Sequence, residues 1–198
     1  MISGKNFILD QTLDEYFSTA ISVQIQDLSP PASDHVVHYL TSVLTRFSRS
    51  QDFFVLEENL NQLPTLALLY HEAASARTHE KRNTILRQLG DSALFIGALF
   101  FEHFSKKGIN KDYFIGMGGS AYGALGSYNY GNSEMFFDLS HRFPKFLEAV
   151  SKACSHRFHY DADDIFSLLE RWQTSNSDTL RKQLHSLGIT PIQLSRKH

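Results

Sequence analysis

Asp112-Tyr-Phe-Ile-Gly-Met-Gly-Gly-Ser-Ala-Tyr-Gly-Ala-Leu-Gly126 holds five of the chain's eleven glycines, at positions 116, 118, 119, 123 and 126, interleaved with Tyr113, Met117 and Tyr122. Glycine loses more conformational freedom on folding than any other residue. It is useful where a side chain would be in the way or where φ must be positive. So dense a set implies that something approaches this backbone closely. A loop around phosphate would imply an α/β fold, and a helix with a small-residue groove would imply an all-α one.

The phosphate reading fits poorly. Gly116-Met-Gly118 has Ala121 where G-x-G-x-x-G needs its third glycine, no strand precedes it, and no Gly-Lys-Ser/Thr follows. As a helix, the stretch sets Gly116, Gly119, Gly123 and Gly126 on one face at 3-4-3 spacing. Such a face admits a neighbouring helix or an aromatic ring at short range, as small-residue faces do in helix bundles. The same face can instead receive an external ligand or partner, with hydroxyls from Tyr113 and Tyr122 and an adaptable contact from Met117.

Helical periodicity extends outward in both directions. Thr12-Leu-Asp-Glu15 has the form of a capping box, followed by Tyr16, Phe17, Ala20 and Ile21 at helical spacing. Pro30-Pro31 is expected to end that helix and seat a second, with the stripe Val36, Tyr39, Leu40, Val43, Leu44 and Phe47. Residues 52–56 are the one short run resembling a strand, and nothing nearby pairs with it. Pro64 opens a third helix. Thr78 caps a fourth that runs to about Lys107-Gly108, with a bend or a close crossing expected at Gly90. A fifth begins at Asn110 to Asp112, and a sixth at Ser133 is split by Pro144. A seventh runs from about Asp163 to Trp172. The last starts at Ser177, buries Leu180, Leu184 and Leu187, and stops at Gly188. The expectation is a single all-α domain over 1–198, a bundle of seven to nine helices.

Bulk properties narrow the function classes. Hydrophobic residues make up 42% and charged residues 20%, the balance of a folded globular chain rather than a disordered one. A net charge of −2, with scattered basic residues, provides no field for nucleic acid. Cys154 is the only cysteine, so no intrachain disulfide can form, and a reducing cytoplasmic location is expected. The longest apolar run, residues 93–101, is nine residues where a membrane span needs about 20. Sixteen Phe and eight Tyr imply a bulky core or an aromatic-lined pocket.

Asp91 stands directly before that apolar run, where a carboxylate is costly unless paired. Two roles compete: a cap on the second half of a bent helix, or one pole of a buried network with Tyr113 or Tyr122. Leu89-Gly90-Asp91-Ser-Ala-Leu-Phe-Ile-Gly97, followed by Asp112 to Tyr122, resembles an uncharacterised family of all-helical bacterial proteins. That family's pattern is similar to L-G-D-x-x-L-F and then D-Y-[YF]-[IV]-x-M-G-x-x-A-Y. The likeness covers roughly residues 65–125. It implies a helical fold and a bacterial, cytoplasmic setting, and it carries no activity.

Catalytic motifs are sparse. His71-Glu72 and His79-Glu80 do not form H-E-x-x-H, and the paired Glu-x-x-His of di-iron bundles is missing. His35 and His38 are spaced i, i+3, as are His156 and His159 beside Asp161 and Asp163, yet no full ligand set is visible. Ser120 lacks the G-x-S-x-G setting, and nearby Cys154 and His156 do not share a helical face. The set Phe95, Leu99, Phe100, Phe104, Phe136, Phe137, Phe143 and Phe146 reads as core. Alternatively it lines a pocket for a lipid or tetrapyrrole-like ligand. The sequence names no cofactor.

The expectation is therefore a non-catalytic binding protein, regulatory or adaptor in role, with a protein partner and room for a homodimer. The residues expected to carry binding are Asp91, Asp112, Tyr113, Gly116, Met117, Gly119, Tyr122 and Gly123. The competing class is a helical carrier or enzyme that uses the aromatic interior or a His/carboxylate metal site.

Overall fold

Apolar residues at intervals of three and four close into helices throughout the computed structural model, which describes residues 13–48, 65–128, 131–155, 168, 171–172, 175 and 177–186. In chain order these are α1 (Leu13–Ile25), α2 (Asp34–Ser48), α3 (Thr65–Ser75), α4 (His79–Leu99), α5 (Phe101–Lys106), α6 (Lys111–Tyr128), α7 (Ser133–His141), α8 (Phe143–Ser155) and α9 (Asp178–Ser186). Among the described residues there is no strand, and the fold is an all-α multi-helix bundle.

α4 is the axis of the bundle. Every residue from Leu89 to Ala98 is buried, on all sides of the helix, which is what a helix apolar all round requires. It packs most extensively on α6, and α3 and α8 cover further sides. A Cβ added at Gly90 would meet Tyr122, and one at Gly97 would meet Phe114. Rising numbers on α4 thus match falling numbers on α6, and the two helices are antiparallel. α7 lies along α6, and α1 bridges α2 and α8. The Tyr16 hydroxyl donates to the Ala153 carbonyl at 3.5 Å, and Thr45 Oγ1 donates to Asp14 Oδ1 at 2.7 Å.

Several helix ends follow their sequence signals. Thr78 is extended and accepts the Lys81 N–H at 3.2 Å, capping α4. α6 starts at Lys111, and α7 starts at Ser133. Pro144 lies in the first turn of α8, where its missing N–H has no intrahelical partner to lose. Gly108, at φ 82°, terminates α5: its N–H donates to Ser105 and the Ile109 N–H to Phe104, at 2.9 and 3.0 Å. That pair of bonds is the Schellman pattern.

Other ends differ from the sequence expectation. α1 stops at Ile25, ahead of Pro30-Pro31, and α2 starts only at Asp34 because Ser33 supplies the cap, its carbonyl and hydroxyl both accepting from the Val36 N–H. α4 passes through Gly90 without a break. The interruption falls at Phe100, whose turn directs Phe100 toward Phe95 and leaves α5 to bring Phe104 onto Phe114. Thr12, residues 52–56, Pro64, Leu187, Gly188 and nearly all of the helix expected from 163 to 172 lie outside the described residues. Trp172 is described there and buried.

Candidate functional site

Asp91 lies in the middle of α4 with a side chain that is 0% exposed. Since α4 is continuous, the residue caps nothing. Three donors surround its carboxylate instead. The Tyr39 hydroxyl donates to Oδ1 at 2.6 Å, the Tyr122 hydroxyl donates to the same oxygen at 2.8 Å, and Arg46 Nη2 donates to Oδ2 at 2.7 Å. Tyr39 and Arg46 come from α2 and Tyr122 from α6, so one carboxylate joins three helices. Burial of an isolated charge is prohibitive, and pairing plus hydrogen bonding makes it tolerable. Arg46 is the outer member, its side chain 44% exposed.

The tyrosine rings are enclosed by other rings. Tyr39 stands edge-on to Tyr122 at 6.0 Å and to Phe136 at 5.5 Å. Tyr122 also stacks on Phe136 at 6.0 Å and meets Phe143 at 5.9 Å. Burial, and then the charge of Asp91, push both phenols well above the ordinary tyrosine range. Both hydroxyls are therefore fixed as donors to the carboxylate.

Glycines make room for these rings. A Cβ at Gly90 would come within 2.6 Å of Tyr122 Cε1, and one at Gly118 would lie 2.2 Å from Phe143 Cζ. On the next face of α6, Gly119, Gly123 and Gly126 look toward α7. Ser140 Oγ donates to the Gly119 carbonyl at 2.7 Å, a Cβ at Gly123 would sit 3.0 Å from that Oγ, and one at Gly126 would sit 2.8 Å from Phe137. Gly116 is exposed, with nothing within 4 Å of a Cβ position.

The expected binding residues thus separate into groups. Asp91 and Tyr122 meet in the core, and Gly119 and Gly123 lie under α7. Met117 is partly buried against the core. Tyr113 stands apart from Asp91: burial raises its pKa, while the backbone at Ala67 of α3 opposes the rise. Asp112 and Gly116 are exposed on the opening turns of α6. Tyr39 and Arg46 went unrecognised in the sequence, where Tyr39 reads only as part of the apolar stripe of α2. A tyrosine on a buried stripe, whose hydroxyl demands a partner, was the available signal.

The aromatic set is largely interior. Phe95 stacks on Phe47 at 4.5 Å, and Phe100, Phe104, Phe136, Phe143 and Phe146 are all buried, whereas Phe137 is exposed. Among the described residues no three His, Cys, Asp or Glu side chains come together as a metal would need. The His156 and His159 pair lies outside them. No described helix is long and apolar enough to cross a membrane. Comparison with protein-family models, with curated proteins and with solved structures finds no match to this chain.

Proposed function

We propose that this protein acts by non-catalytic contact with another protein, as a regulatory or adaptor module, and that α3 carries the contact. The supporting observation is the exposure of Leu68 and Tyr70, 61% and 53%, the two highest among the large apolar side chains of the described residues. Both lie outside the stripe through which Leu66 and Ala73 bury α3, and at i, i+2 they point to different sides of the helix, so a partner that takes both wraps its outer surface. Aromatic and aliphatic anchors on a firmly held helix suit a protein interface, because little side-chain or backbone freedom remains to be lost on binding.

α3 is held in that way. The Arg82 guanidinium donates to the carbonyls of Ala73 and Ala76, both at 3.3 Å, at the end where helix carbonyls lack partners. Lys81 pairs with Glu72 at 3.3 Å. The glycine-rich helix takes the opposite part in this reading: its small faces receive α7 and Phe143, and it serves as framework.

Pull-down from native lysate with the full chain is the test. Wild type is expected to recover a protein partner that Leu68→Ser and Tyr70→Ser lose while keeping the wild-type melting temperature. Unchanged recovery in both variants removes α3 as the contact, and recovery of nothing by wild type counts against the adaptor role. A doubled mass in light scattering that Leu68→Ser abolishes assigns α3 to self-association instead.

A further inference from the structure

We draw no further inference here: the strongest candidate, the surface patch on α4 where Arg87 lies exposed above the Phe136 ring, is a single cation on an open face, and nothing in the structure shows what covers it.

Discussion

Tyr122 lies against the bare backbone of Gly90, so close that a methyl group there would stand 2.6 Å from its ring. That proximity lets the Tyr122 hydroxyl reach Asp91, the very next residue of α4, at 2.8 Å. Gly90→Ala should therefore destabilise the fold despite the helix-propensity gain of about 1 kcal/mol that alanine brings. Overpacking against a fully buried ring is expected to leave a net loss of about 1–3 kcal/mol, measured by urea denaturation.

Gly116 provides the opposite case. It sits in the same glycine-rich helix with no neighbour within 4 Å of a Cβ position. Gly116→Ala should stabilise the protein by about 0.5–1 kcal/mol, because an exposed helical glycine gives up backbone entropy and receives no packing in return. A destabilised variant in the same denaturation assay would show that residue 116 meets a surface after all.

Removing the carboxylate orphans the hydroxyls of Tyr39 and the fully buried Tyr122. Asp91→Ala is expected to cost about 2–4 kcal/mol, from lost hydrogen bonds and an unfilled space. Asp91→Asn keeps an acceptor and should cost less. The tyrosines share one oxygen, so Tyr39→Phe and Tyr122→Phe should each cost about 1–2 kcal/mol and combine non-additively. Strict additivity in the double-mutant cycle would argue against a shared acceptor.

Alkaline pH tests the same cluster by another route. Unfolded tyrosines ionise near pH 10.0, whereas burial and the Asp91 charge hold Tyr39 and Tyr122 protonated in the folded chain well beyond that. Below pH 10 their contribution is complete. Above it the unfolded state releases two protons that the folded state keeps, so stability falls by about 2.7 kcal/mol per pH unit. The Tyr39→Phe, Tyr122→Phe double variant should flatten this loss in pH-dependent denaturation.

What the sequence made legible is local. Thr78, Lys111, Ser133 and Pro144 mark helix starts through nearest-neighbour chemistry, and each signal is satisfied within about a turn. Gly90 left a bend and a close crossing both open, because its absent side chain answers to a ring 32 residues away, not to the helix that contains it. The 3-4-3 glycine spacing correctly groups Gly119, Gly123 and Gly126 beside α7 but includes Gly116, beyond the reach of that helix. It also omits Gly118, which hosts Phe143 on the adjacent face. Asp91 announced its need for partners by standing next to an apolar run. Tyr39 and Arg46 are 52 and 45 residues distant, and no periodicity connects them to it.

The Ser140 bond to the Gly119 carbonyl and the Tyr122 bond to Asp91 act on different pairs of helices, yet both fix sliding along the axis of α6. If α6 slipped by one turn, Phe143 and Phe137 would lose the bare backbone that Gly118 and Gly126 offer them, a hydroxyl would lose its carbonyl, and a charge would remain in the core without Tyr122. Apolar burial is non-directional and does not by itself distinguish one offset from another, whereas these contacts do. Asp91 and the glycine cradles therefore act together to select one arrangement of α6, a role in specificity that a melting temperature alone would not reveal.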